Sequence, residues 1–417
     1  MNALINIPPL QAGEQLDPLR AKIYGLTVLE RTLHACRQAG VNRIALVHPE
    51  GRAKEAHLRR FRAALREEES LEVRLFAEAQ EALEWLDPEA ATFLFREAIL
   101  VSPAYLQRLR EASPGKPAAS PDRGILYYPP GWKLDAELEP KEKMPEGLEA
   151  DSSDGPDALP RTVPLAGGQH YCLAVRRAED LRLARRILLR SLIKPTDGWV
   201  SRHLNRPVSL SITRLLAPTP ITPNQFTVFT GLLGLLTGVF MALGGYWNWL
   251  IGAALFHLTS VLDGVDGELA RLKFKSSPYG QWLDTLVDNL SYLAGLGGLI
   301  IGILRTGASE PVKYAGLLAV VFALAALGSL YLYLLRYNKG GTLLNVEYSF
   351  QQGSGWFDRV MQVAAAFGKR DLFALVFFVL ALFGCLPLAL VYVCIMAAFV
   401  FGFSLQAHRV AARKKAP

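Results

Sequence analysis

Two regimes of hydrophobic patterning divide the chain. From Phe226 onward apolar residues run in long blocks, with polar side chains gathered between them. A helix needs about 20 mostly apolar residues to cross a bilayer core. By that rule six segments are predicted to span, near 226–245, 248–270, 281–303, 314–335, 372–386 and 388–407. The fifth is short, and Pro387 divides it from the sixth. Before about residue 200 the pattern instead alternates helix and strand signals. Residues 22–48 read as a helix followed by the apolar strand IALVH, with Leu29, Leu33 and Cys36 on one helical face and Gly40 as the C-terminal stop. FLFREAILVSP, 93–103, reads as a buried strand. Such alternation predicts an α/β domain with a mainly parallel sheet. Residues 114–162 are dense in Pro, Asp, Glu and Gly and read as a loose insertion.

Composition sharpens this division. Half of the 417 residues are hydrophobic, but residues 1 to about 200 are rich in Arg, Glu and Pro, whereas Leu, Ala, Val, Gly and Phe dominate the rest. Cys36, Cys172, Cys385 and Cys394 show no paired spacing, which argues against a disulfide framework or a zinc site. MNALINIPPLQAGEQLDPLR lacks a charged start followed by an apolar core, so the first half is expected in the cytoplasm. With that end inside, the inner loops and tail hold Arg271, Lys273, Lys275, Arg336, Lys339, Arg359, Lys369, Arg370, Arg409, Arg413, Lys414 and Lys415. The outer loops hold Arg305 and Lys313. Twelve against two is the positive-inside bias of an oriented bundle. The net charge of +7 therefore reads as topology and contact with anionic membrane lipid, and nucleic acid is not an expected partner.

One stretch resists a purely structural account. In LDGVDGELARLKFKSSPYGQWLDTLVDN, residues 262–289, Asp263 and Asp266 fall in the last turns of the second predicted span, and Asp284 and Asp288 in the first turns of the third. Spacings of three and four put each pair on one helical face, near the cytoplasmic side of an antiparallel hairpin. Four facing carboxylates without a counter-charge repel one another, and hard divalent cations such as Mg²⁺, Mn²⁺ or Ca²⁺ relieve this, with substrate phosphates completing their coordination. Gly264, Gly267 and Gly280 leave room beside the acidic face for a bulky ligand, or else mark close helix contact. A cation-coupled transporter and a non-catalytic membrane scaffold are the rival classes that such acids allow.

Before the first span, Arg202, Arg206 and Arg214 alternate with Leu204, Val208, Leu210, Ile212 and Leu215, which predicts an amphipathic helix on the inner leaflet. Thr222 reads as an N-cap with Pro223 at the first helical position and Asn224 behind it. Lys369 and Arg370, opening the fifth span, read as contacts to an acceptor phosphate or as cytoplasmic anchors.

The string D-x-x-D-G-x-x-A-R-x8-G-x3-D-x3-D, met here at every defined position from Asp263 to Asp288, resembles the signature of the CDP-alcohol phosphotransferases, a family of six transmembrane helices. The resemblance implies transfer of a phosphoalcohol from a CDP-alcohol to an acceptor hydroxyl with release of CMP, in phospholipid or inositol-phosphate synthesis. It implies two ions, Mg²⁺ or Mn²⁺, on Asp263, Asp266, Asp284 and Asp288, with Asp288 also the general base. It implies a CDP pocket lined by Gly267, Ala270, Arg271 and Gly280, with Pro223 and Asn224 beside the nucleotide. A homodimer is among the assemblies it allows, and the membrane is the inner or plasma membrane, with both termini cytoplasmic.

The N-terminal half resembles the sugar nucleotidyltransferase fold. Where active members carry a glycine-rich loop, this chain reads LINIPPLQAGEQL, and prolines remove the amide donors a triphosphate cradle needs. The strand ending ILVSPAYL carries no metal-binding aspartate. The expected layout is therefore an inactive nucleotidyltransferase-like domain (1–185), a juxtamembrane segment (186–222) and a six-helix membrane domain (223–410). That layout is similar to fusions of inositol-1-phosphate cytidylyltransferase with di-myo-inositol phosphate phosphate synthase.

Overall fold

A computed structural model describes residues 1–7, 16–17, 19–48, 71–112, 118–120, 124–130, 170–194, 197–307, 309–337 and 369–415. Most of the proline-bearing loop after the first strand, and most of the 114–162 stretch, lie outside these residues, as do Lys339 and Arg359. The part of that stretch that is described is not a loose insertion, because Ala118–Ala119 and Ile125–Tyr128 are strands of the main sheet. The chain forms two units. One holds Met1–Pro195 with Ala217–Thr219 and Leu272–Phe274, and the other holds Thr196–Leu216, Pro220–Arg271 and Lys275–Pro417.

The first unit contains β1 (Asn2–Asn6), β2 (Lys22–Ile23), β3 (Leu26–Thr27), α1 (Val28–Gln38), β4 (Arg43–Val47), β5 (Glu72–Phe76), α2 (Ala79–Trp85), β6 (Thr92–Phe95), β7 (Ile99–Val101), α3 (Pro103–Ala112), β8 (Ala118–Ala119), β9 (Ile125–Tyr128), β10 (Cys172–Ala174) and α4 (Ala178–Ser191). Its main sheet runs β5-β4-β1-β6-β9-β8. The first four strands are parallel, with Leu4 beside both Ala45 and Leu94, and β9 and β8 continue antiparallel, so the sheet is mixed. The single strand expected over 93–103 is two, because β7 leaves this sheet to pair with β10. Arg96 and Glu97 interrupt the apolar run between the two strands, but nothing in the sequence marks a change of partner.

Helix α1 begins as capping chemistry dictates. Thr27 Oγ1 accepts from the Glu30 amide at 3.1 Å, and Glu30 Oε2 accepts from the Thr27 amide at 2.7 Å. The helix ends at Gly40, whose φ of +88° suits a residue without Cβ. Leu29, Leu33 and Cys36 are buried together as their spacing predicts. Burial, with Arg37 and Arg31 nearby, pushes the His34 imidazole down to about 3.

The second unit is helical: α5 (Arg206–Leu216), α6 (Pro223–Leu243), α7 (Tyr246–Leu272), α8 (Pro278–Thr306), α9 (Glu310–Tyr337), α10 (Arg370–Leu382) and α11 (Leu388–Lys415). Five of these, α6, α7, α8, α9 and α11, are long and apolar enough to cross a membrane. The expected fifth span does form a helix, α10, but it has only 13 residues.

Helices α6 and α8 approach closely because glycines face each other. A Cβ built on Gly298 would stand 2.1 Å from the Gly238 carbonyl oxygen, and one on Gly302 the same distance from that of Met241. Thr222 caps α6 with Gln225 reciprocating, at 3.3 and 2.9 Å, and Pro223 is its first residue.

The segment before α6 departs from expectation. A short π-helix (Ser201–Asn205) leads into α5, and the buried face is polar: Asn205, Arg206, Ser209 and Thr213. Its apolar residues Leu204, Val208 and Leu215 are exposed. Arg206, expected among the leaflet-facing arginines, is buried, because two carboxylates within the protein hold it.

Candidate active site

The acidic stretch folds as its periodicity predicts. Asp263 and Asp266 lie near the end of α7, and Asp284 and Asp288 near the start of α8. Ser277 caps α8, its hydroxyl oxygen accepting from the Gly280 amide at 3.0 Å. One carboxylate oxygen from each of Asp263, Asp284 and Asp288 lies within 4.8 Å of the others, a spacing suited to a shared cation. All three are half-buried.

Asp266 stands apart from this trio. It is buried and accepts from the Thr227 hydroxyl at 2.5 Å and from the Gly267 amide at 2.5 Å. Thr227 Oγ1 also lies 3.2 Å from the Pro223 carbonyl, so the first turn of α6 is tied to the acidic face. Gly280 makes room for the same turn, since a Cβ there would meet Asn224 Oδ1 at 3.1 Å. Pro223 and Asn224 are thus brought beside the aspartates. Gly267 neighbours Arg271, whose Nη1 would lie 3.4 Å from an added Cβ. Ala270 is half-buried, and its carbonyl accepts from the Lys275 amide at 2.8 Å. Gly264, in contrast, faces protein: its Cβ would meet Arg206 Nη1 at 3.2 Å and Glu268 Oε1 at 3.3 Å, so its small size serves helix contact.

Arg370 opens α10 and enters the cluster. Its Nη1 lies 2.7 Å from Asp263 Oδ1 and 2.5 Å from Asp288 Oδ1, and its guanidinium sits over the Tyr292 ring at 5.2 Å. The guanidinium occupies the kind of position a metal cation would take between two carboxylates. One guanidinium bridges Asp263 and Asp288, and the spacing of the three carboxylates suits divalent ions as well. Neither sequence reading of Arg370, acceptor-phosphate contact or cytoplasmic anchor, anticipates this ion pair, because it joins positions 82 residues apart in sequence. Thr227 and Glu268 were also missed. Thr227 gave no signal beyond a hydroxyl in an apolar run, and Glu268 gave one, an acid inside a membrane segment.

Residues 220–403 match the family described as CDP-alcohol phosphatidyltransferase. The C-terminal region carries a CDP-alcohol phosphatidyltransferase domain. Among similar proteins, the Bifunctional IPC transferase and DIPP synthase of Thermococcus kodakarensis is 37% identical over 202 residues, covering 46% of this chain and 40% of that protein. Its namesake in Aquifex aeolicus is 36% identical over 153 residues, covering 36% of this chain and 35% of that protein. The Archaetidylinositol phosphate synthase of Pyrococcus horikoshii is 35% identical over 91 residues, covering 22% of this chain and 47% of that protein. The chain thus spans less than half the length of each of these relatives. Within the phosphatidyltransferase domain, the signature from Asp263 to Asp288 is the part whose carboxylates converge.

Proposed function

We propose that the protein is an integral-membrane CDP-alcohol phosphotransferase that moves a phosphoalcohol from a CDP-alcohol to an acceptor hydroxyl. The observation that carries this reading is the convergence of Asp263, Asp284 and Asp288 from two facing helices inside the matched domain. Asp263, Asp284 and Asp288, with Asp266 one turn away, would hold two divalent ions, Mg²⁺ or Mn²⁺. When bound, such ions neutralise charge on the donor's diphosphate and on departing CMP.

The chain's own groups do the rest. Arg271, beside Gly267 and Ala270, binds the CDP diphosphate, and Asn224 and Gly280 flank the nucleotide. Asp288 takes the proton of the acceptor hydroxyl as its oxygen attacks the phosphorus distal to the cytidine. The bond from that phosphorus to the CMP oxygen breaks, and CMP leaves with the electron pair. Arg370, which pairs Asp263 and Asp288, would be the cation to meet an acceptor's phosphate if metal ions took over those carboxylates. The names of the archaeal and bacterial relatives favour inositol-phosphate acceptors or donors.

We further infer that α10 completes a six-span bundle with both termini cytoplasmic. The proposed division is a nucleotidyltransferase-like domain (1–185), a juxtamembrane segment (186–222) and a membrane domain (223–410). The first domain is proposed not to make a CDP-alcohol, since the prolines of LINIPPLQAGEQL leave few amides for a triphosphate.

The test is direct. Purified protein in detergent is given Mg²⁺ or Mn²⁺ with a panel of CDP-alcohols and acceptors, and CMP is followed. Transfer is expected with metal, and none with EDTA or in folded Asp263→Ala, Asp266→Ala, Asp284→Ala or Asp288→Ala variants. Undiminished CMP release by any of these variants in EDTA would sink the metal mechanism.

A further inference from the structure

Glu268 lies inside the signature, at one of its unspecified positions, and is fully buried. A carboxylate in that setting must be thoroughly bonded, because desolvating each ion costs several kcal/mol. It is: Oε1 accepts from Arg206 Nη1 at 2.5 Å and from the Ser209 hydroxyl at 2.7 Å, and Oε2 accepts from the Thr213 hydroxyl at 2.6 Å. All three donors come from one face of α5. The remaining guanidinium nitrogens of Arg206 fork Asp197, Nε at 2.8 Å and Nη2 at 2.9 Å. Two charges and two hydroxyls therefore clamp α5 against α7, where apolar side chains of similar volume could join the same helices at lower desolvation cost. What the polar clamp adds is direction: three bonds to two oxygens fix the rotation of the last turns of α7 about their axis.

That turn carries Arg271, one helical turn beyond Glu268 on the same side. Arg271 interacts electrostatically with Glu268, Asp197 and Asp266 as opposite charges and with Arg206 as a like one. Three of the other four signature acids have separate supports. Arg370 holds Asp263 and Asp288, and Thr227 holds Asp266. Glu268 thus anchors the last turn of α7, which carries Arg271, while Asp263, Asp266 and Asp288 have bonds of their own. Resting on the phosphotransferase reading above, we propose that Glu268 is a positioning residue for the CDP moiety, acting through Arg271 while Arg206, Ser209 and Thr213 hold it in place.

The test uses the full chain in detergent with Mg²⁺ and CDP as probe, reading CDP affinity by calorimetry, the unfolding temperature, and donor and acceptor KM separately. Loss of the counter-charge in Glu268→Gln is expected to weaken CDP about tenfold, the change that 1.4 kcal/mol gives, with acceptor KM unchanged. R206M/E268M removes both charges of the clamp, and its unfolding temperature is expected to fall because Asp197 loses the guanidinium that forks it. CDP affinity should stay weak, because the bonds from α5 that orient the last turn of α7 are gone. Thr213→Val keeps every charge, removes the bond to Glu268 Oε2, and is expected to weaken CDP roughly threefold and to lower the unfolding temperature. Wild-type CDP affinity in Glu268→Gln and Thr213→Val, or in the double variant, overturns the inference and leaves a structural clamp alone. No CDP binding by the wild type overturns the phosphotransferase reading and this inference with it.

Discussion

Replacing Gly298 by alanine tests how the acidic cluster is held, because the structure fixes the size of the disturbance. The new Cβ would lie 2.1 Å from the Gly238 carbonyl oxygen and 2.9 Å from Gly238 C and Cα, all backbone atoms that cannot rotate away. Contacts below 3.0 Å are essentially never seen for real Cβ atoms, so α6 and α8 must part locally by at least about 0.9 Å. Overpacking of this kind costs roughly 1–3 kcal/mol. Asp288 lies ten residues before Gly298 on the same helix, about 15 Å along it. A stiff helix carries part of the displacement that far, and a 1 Å misplacement at reacting groups can lower a rate about a hundredfold. We expect Gly298→Ala to lower the unfolding temperature in detergent and to reduce CMP release about tenfold or more. Gly297→Ala is the matched control, since a Cβ there meets nothing within 4 Å. If Gly298→Ala matches Gly297→Ala in both stability and CMP release, the close contact does not hold the aspartates and the reasoning is wrong.

Three further outcomes follow from the geometry. In a cysteine-free background, cysteines at Trp247 and Ser309 should react with an impermeant reagent added outside, and one at Ser276 should not; the reverse pattern would remove the site from cytoplasmic CDP-alcohol. The folded pKa of His34 is depressed to about 3 from 6.5, so the first unit favours the neutral ring. The stabilisation is complete above 6.5 and declines as pH falls from 6.5 toward 3; the unfolding temperature should therefore drop between pH 7 and 5, and a parallel drop in His34→Gln would exclude this ring as its source. Full-length protein given CTP and inositol 1-phosphate should release no pyrophosphate, and steady release dependent on the phosphoalcohol would show that the N-terminal domain is an active nucleotidyltransferase.

The acidic cluster was legible because helical periodicity is local: spacings of three and four residues determine a face wherever the helix goes. Capping at Thr222 and the stop at Gly40 were legible for the same reason. What the sequence hid were pairings across long separations. Arg206 looked like one more cation of an interfacial helix, and only the fold brings it to Glu268, 62 residues later. Ser209 and Thr213 satisfy a buried acid, while Leu204, Val208 and Leu215 are exposed, as a helix lying on a leaflet would leave them. Strand β7 reads like a continuation of β6, since hydrophobicity does not reveal which edge a strand joins.

The bond from Arg206 to Asp197 also bears on how this chain can be cut and recombined. The family match begins at residue 220, yet a fragment starting there would lose Arg206, Ser209 and Thr213 and leave the Glu268 carboxylate bare within the bundle. A transferable module built on the membrane domain therefore has to carry the juxtamembrane chain from Asp197 with it. A new N-terminal partner, joined by evolution or in the laboratory, has its permissive seam between the end of α4 at Ser191 and Asp197, some 25 residues before the first long apolar helix at Pro223.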